Sequence, residues 1–147
     1  MNLDPAMLEV TAVQVVDGLW IGSASADLPA GVSLVVTLDE VAAGVDGPGV
    51  SEVREPFPDS RWQPVDPEPV SAALRAAEGR LDGSVLIRCR HGLNRSALIA
   101  ALVLRGRGWT SDDAITAVRQ VRPGALSNPY FADLVATWPE DPMATRP

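Results

Sequence analysis

The sequence predicts an α/β fold in which helices cover both faces of a mainly parallel central sheet. Three observations predict it. Short valine-rich runs alternate along the chain with longer segments of helical periodicity. The run Ser33 to Leu38 (SLVVTL) is apolar and too short for a typical helix, as expected of a strand buried on both faces. The run Ser84 to Ile87 is followed, after a polar loop, by the wholly apolar stretch ALIAALVL, which only a covered sheet can bury along its length.

Taken in order, Val10 to Val16 and Leu19 to Ile21 read as strand, tight turn and strand, with Asp17-Gly18 at the turn. Ser33 to Leu38 is the next strand, and Glu40 to Gly49 an acidic, glycine-containing connector. Val53 to Phe57 is a further strand, closed by Pro58 and followed by a proline-rich loop through Pro67. Asp66-Pro67-Glu68 opens a helix, with an oxygen cap, proline in the first turn and an acid beside it. Val70, Ala73, Leu74, Ala77 and Leu81 give it one apolar face, and Asp82-Gly83 ends it. After the strand Ser84 to Ile87 and the loop Arg88 to Arg95, a helix runs from Ser96 to about Leu104. Thr110 caps the next, striped by Ala114, Ile115, Val118 and Val121 and broken at Pro123-Gly124. Ser127, with Pro129 close behind, starts the last helix, which carries Phe131, Leu134 and Val135 and ends before Pro139. Met143 to Pro147 reads as a frayed tail.

The 147 residues, 46% hydrophobic, suit one compact domain spanning residues 1–147, without internal repeats. No eighteen-residue apolar stretch occurs, and the N-terminal residues are acidic where a secretory signal is basic, so a cytoplasmic protein without a membrane span is expected. A net charge of −7 disfavours a general nucleic-acid-binding surface. That average hides an asymmetry: residues 1–60 hold ten acids and only Arg54, whereas residues 84–122 hold seven arginines against Asp112 and Asp113. There is no lysine, and the single cysteine, Cys89, excludes an internal disulfide and argues against a cysteine-rich zinc site. A lone cysteine is ordinarily a small buried hydrophobe.

Its neighbours decide otherwise. In Val85-Leu86-Ile87-Arg88-Cys89-Arg90-His91-Gly92-Leu93-Asn94-Arg95-Ser96 a buried strand ends at cysteine, a glycine-containing loop turns, and a helix starts beside arginine and serine. This puts Cys89 at the carboxyl edge of the sheet, where open α/β folds leave their ligand crevice. Backbone amides of such a loop and of a helix N-terminus converge on an anion and favour a thiolate. Gly92 permits the turn, and Arg95 offers a planar fork to two phosphoryl oxygens.

The segment Cys89 to Ser96 resembles the Cys-x5-Arg-Ser/Thr signature of the cysteine-dependent protein tyrosine phosphatase superfamily, and the helix after it resembles the dual-specificity branch. Asp17-Gly18-Leu19-Trp20-Ile21-Gly22 looks like that family's opening strand, and Pro56-Phe57-Pro58-Asp59 like its general-acid loop. Val118-Arg119-Gln120-Val121-Arg122-Pro123-Gly124-Ala125, followed by Asn128 and Phe131, looks like its arginine-proline segment and final helix. Together these cover roughly residues 10–137. The resemblance implies cofactor-free hydrolysis of a phosphorylated protein or a small phosphate monoester through a phosphocysteine intermediate. Cys89 would be the nucleophile, Arg95 the phosphate clamp, Asp59 the general acid and then base, and Ser96 the hydroxyl that stabilises the departing thiolate. Asn94 would hold the loop in shape, and Arg90, His91 and Leu93 would line the pocket mouth with Gly92 at the turn.

The family normally carries histidine immediately before the nucleophile; this chain carries Arg88. Arg88 is either a counter-ion for an acidic residue or a group that tunes the thiolate. Arg122 either charges the end of its helix or supports the catalytic loop. Asn94 has a helix cap as its alternative, His91 a surface position, and Trp62 is a candidate for the pocket rim. Two other functions compete with the phosphatase. One is a catalytically weak phosphate-binding module, motivated by Arg88. The other is a rhodanese-like sulfurtransferase, disfavoured by the five residues between Cys89 and Arg95, by Asp59 and by Arg122-Pro123.

Overall fold

The computed structural model describes residues 12–45, 47–79 and 84–138. The expected strand start at Val10, Leu81 with the Asp82-Gly83 stop, Pro139 and the tail from Met143 lie outside them. The strands are β1 (Val13–Val16), β2 (Leu19–Ser23), β3 (Val32–Thr37), β4 (Ser51–Arg54) and β5 (Ser84–Cys89). They form one sheet in the order β1-β2-β5-β3-β4. β1 and β2 pair antiparallel through the Asp17-Gly18 turn, where Gly18 takes a φ of 77°. All other pairs are parallel, and β5 lies between β2 and β3. A mainly parallel sheet flanked by helices is the α/β architecture that the alternating runs predict, but the described helices all pack on one face of it, and the other face is covered by residues outside helices.

The helices are α1 (Pro67–Glu78), α2 (Arg95–Gly106), α3 (Ser111–Val121) and α4 (Pro129–Thr137). Asp66 and Thr110 cap α1 and α3 by accepting from the amides of Glu68 and Asp113. The last helix starts one residue later than expected: Asn128, not Ser127, is its cap and accepts from Tyr130 N, with Pro129 in the first turn.

Side chains alternate across the sheet, so Val85, Ile87 and Cys89 of β5 enter the larger core while Leu86 enters the smaller one. All four described helices send their buried apolar side chains into the larger core, and α2 is buried from Ser96 to Leu104. Each of its leucines contributes about 1.5–3 kcal/mol by leaving water. The smaller cluster, Ala12, Val32, Val35 and Leu86, is packed by Trp20, Ala26, Val45 and Val50.

One strand is placed differently from expectation. β4 spans Ser51–Arg54, not Val53 to Phe57. Glu55 N still donates to Thr37 O, but Pro56 has no N–H with which to extend the ladder. The chain therefore turns away, and Phe57 is buried edge-on against Phe131, ring centroids 6.0 Å apart.

Candidate active site

β3, β4 and β5 run parallel, so their carboxyl ends open on one edge of the sheet. The segments leaving these ends carry Asp39, Asp59 and the loop Cys89 to Arg95. Between them lies a cleft of about 370 Å³ lined by Asp39, Glu40, Val41, Asp59, Arg90, His91 and Arg95.

Cys89 ends β5 and is buried, its Sγ 3.4 Å from Ser96 Oγ, which is buried at the start of α2. The loop between them turns at Gly92, whose φ is 69°. A Cβ there would lie 2.8 Å from the Gly22 carbonyl carbon and 2.9 Å from Ser23 N, so glycine is required by both conformation and space. Arg122 holds the outside of the turn, its Nη2 donating to His91 O at 2.9 Å and its Nε to Gly92 O at 3.3 Å. Of the two readings of Arg122, the bonds lead to the loop. Arg119 ties the next turn by donating to the carbonyls of Ala125 and Leu126. Leu126 has a positive φ of 57° and donates its N–H to Leu93 O. Leu93 faces Gly124 and is not among the residues lining the cleft, whereas Arg90 and His91 are.

Arg95 projects from the first turn of α2. Its Nη1 donates to Leu38 O and Phe57 O, both at 3.1 Å. Its Nε is buried and, among the described residues, meets no hydrogen-bond acceptor. The guanidinium is thus fixed by the two segments that carry Asp39 and Asp59, with a donor in hand.

Asp59 is fixed as well. Oδ2 accepts from Asn94 Nδ2 at 3.0 Å and Oδ1 from Asn128 Nδ2 at 2.7 Å. Asn94 stands at the start of α2 but makes no side-chain cap; its Oδ1 accepts from Asn128 N and Ser127 Oγ instead. The cap reading of Asn94 is therefore replaced by a bridge between the Asp59 segment and the start of α4. Arg61 adds two bonds to Ser127 from the same segment. Trp62 is corrected too: it is 91% exposed and lies outside the cleft lining.

Arg88 turns away from the Cys89 side. Its Nη2 meets Glu52 Oε2 at 2.9 Å and Ala43 O at 2.5 Å, and its Nε donates to Thr37 Oγ1 at 2.8 Å. The counter-ion reading is the one the geometry carries. Burial pushes the Glu52 carboxyl up, but hydrogen bonds from Thr37, Arg88 and Val45 N and the charge of Arg54 outweigh it and hold the group below its usual range. Asp39 and Glu52 escaped sequence reasoning, and Asn128 was read only as part of the final-helix segment, not as a partner of Asp59. Asp39 could have been found by applying the strand-end argument to β3 as well as to β5.

A cysteine-to-arginine loop at a parallel sheet edge, with an arginine fork and carboxylates around one cleft, defines an anion-handling α/β protein. The model of the family "Dual specificity phosphatase, catalytic domain" matches residues 68–140. The chain is 36% identical over 127 residues to dual specificity phosphatase 28 of Mus musculus, covering 80% of this chain and 77% of that protein. A mouse protein described as a dual specificity phosphatase, crystallised with zinc tungstate, superposes with a TM-score of 0.71 at 33% identity, covering 84% of this chain and 83% of that one. Human DUSP28 gives a TM-score of 0.67 at 30% identity, covering 84% of this chain and 89% of that one. The chain belongs to the dual specificity phosphatase family, within the cysteine-dependent tyrosine phosphatase superfamily. It is a phosphoric monoester hydrolase by that membership.

Proposed function

We propose that the chain hydrolyses phosphate monoesters of the phosphotyrosine, phosphoserine or phosphothreonine type in the cytoplasm, through a phosphocysteine intermediate on Cys89. The observation that carries this reading is the state of Arg95. One nitrogen is anchored to two carbonyls and the buried Nε meets no acceptor among the described residues, an arrangement that a phosphoryl oxygen would satisfy. The tungstate bound by the similar mouse protein is an oxyanion of comparable charge and supports an oxyanion for this cleft.

In the first step the Cys89 thiolate attacks phosphorus, the bond to the leaving oxygen breaks, and Asp59 gives that oxygen its proton. In the second, Asp59 takes a proton from water as its oxygen attacks phosphorus. The sulfur–phosphorus bond breaks, and Ser96 Oγ, 3.4 Å from Sγ, stabilises the departing thiolate. Arg95 and the loop through Gly92 hold the equatorial oxygens in both transition states. Arg90 and His91 meet the substrate at the rim, while Asn94 and Arg122 keep Asp59 and the loop in place.

The catalytically weak phosphate-binding module stays as the second reading because Arg88 is engaged by Glu52, Thr37 and Ala43. Assay of wild type and Cys89→Ser against a broad panel of monoesters separates the two. Turnover by wild type alone supports the phosphatase; phosphate binding by both with turnover by neither supports the module.

A further inference from the structure

Residues 39–45 form no helix or strand, and apart from Asp39 they are largely open to solvent. Apolar packing holds the segment at Val45, which lies on the smaller cluster, and contributes little to residues 40–44. Three backbone groups in the segment are instead tied to one cluster of charges. Arg54 Nη1 donates to Asp39 O at 3.2 Å, Arg88 Nη2 to Ala43 O at 2.5 Å, and Val45 N to Glu52 Oε1 at 3.4 Å. The cluster closes on itself through Glu52 Oε2, which accepts from Thr37 Oγ1, Arg54 Nη2 and Arg88 Nη2 at 2.6, 3.2 and 2.9 Å. Arg88 completes it by donating to Thr37 Oγ1 and to Ala24 O. Its fork meets four acceptors at once, which the point charge of a lysine could not do.

The first three residues of the tied segment, Asp39, Glu40 and Val41, line the cleft beside Arg95. The residue immediately before Cys89 thus reaches, from the far face of β5, the wall that substrate would meet. We propose that Arg88 is a positioning residue that fixes the 39–45 segment, through Glu52, as an acidic wall selecting phosphorylated peptides with basic residues beside the phosphorylated side chain. The phosphate itself goes to Arg95, whose Nη1 is anchored on Leu38 O next to this wall. A cationic neighbour pairs with Asp39 and Glu40, whereas an acidic neighbour meets like charge.

The selectivity rests on the phosphatase reading; the positioning does not. The test compares wild type with Arg88→Met, Glu52→Gln and Arg88→Lys. Amide hydrogen exchange is followed, and KM and kcat are measured for phenyl phosphate and for two phosphotyrosine peptides of equal length, one with arginine and one with glutamate neighbours. Exchange at residues 41–45 should quicken in all three variants while residues 89–96 keep their protection. Wild type should prefer the arginine peptide. In Arg88→Met and Glu52→Gln that preference should shrink, with KM for the arginine peptide rising roughly three- to tenfold and moving more than kcat. Arg88→Lys should recover part of it. Unchanged exchange at 41–45 overturns the positioning claim, and an unaltered peptide preference overturns the selectivity. A fall in kcat together with slower Cys89 alkylation, at constant KM, would instead make Arg88 a group acting on the thiolate. Should Arg88→Met not fold, Glu52→Gln reads the same tie from its other end. Should wild type turn over no substrate, the phosphatase reading falls, and exchange with peptide binding still decides the positioning claim.

Discussion

Asn128 Nδ2 donates a 2.7 Å hydrogen bond to Asp59 Oδ1, joining the start of the last helix to the segment after β4. Its Nδ2 also donates to Ser60 O, while its Oδ1 caps Tyr130 N, so one buried amide both starts a helix and sets a carboxylate at the cleft. Asn128→Ser keeps a capping oxygen and removes both donors. Turnover of an unactivated aryl phosphate should fall about 10- to 10²-fold, the cost of a displaced reacting group, with only a small change in melting temperature. Steady-state kinetics and thermal unfolding of the same preparation check it; an unchanged rate would separate Asp59 placement from Asn128.

The roles proposed for Asp59 and Arg95 make different demands on the leaving group. Asp59→Asn should lower turnover by roughly 10²- to 10⁴-fold on an alkyl or unactivated aryl phosphate, and less as the leaving group becomes stable as an anion. Arg95→Ala should lose activity across the whole series, because the clamp binds phosphoryl oxygens whatever departs. A series of aryl phosphates of falling leaving-group pKa reads both slopes. A flat Asp59→Asn deficit would assign the proton to another group.

Gly92 leaves no room for a side chain. Gly92→Ala must relieve a contact of 2.8 Å with backbone at a positive φ, so the loop has to shift. Loss of stability of about 1–3 kcal/mol is expected by chemical denaturation. Phosphate should protect Cys89 from alkylation in wild type, and that protection should disappear in Gly92→Ala. Retained protection would mean that the anion cradle does not depend on this turn.

Glu52 supplies a pH dependence. Its carboxyl in the folded chain lies below the ordinary value of 4.5, so its contribution to stability is fully present above that value and is lost as pH falls through the lower folded one. The stability difference between wild type and Glu52→Gln should therefore be constant near neutrality and shrink in acid. Urea unfolding of both proteins at a series of pH values from neutral to acid measures it. A difference that grows as pH falls would contradict the sign.

What was legible in the sequence was local. The Cys89 loop could be read because strand, glycine turn and helix start are consecutive, and the caps at Asp66 and Thr110 because a cap spans only three or four consecutive residues. The partners of Asp59 were not legible, since Asn94 and Asn128 each look like ordinary helix starts and only the folded chain brings them within 3.0 Å of one carboxylate. Arg88 was open between two readings because its partner Glu52 lies 36 positions away on an edge strand. The displaced end of β4 followed from Pro56, whose missing N–H was present in the sequence but outweighed by the apolar look of Val53 and Phe57.

The central claim is that phosphate passes through Cys89, and it is tested most directly by denaturing the enzyme during turnover of an aryl phosphate and locating covalent phosphate by mass spectrometry. A phosphoryl adduct on the peptide containing Cys89 is expected in wild type, at higher occupancy in Asp59→Asn with a good leaving group, because that variant is slow to activate water. Cys89→Ser should carry no such adduct and should not turn over. Undiminished hydrolysis by Cys89→Ser would contradict the account.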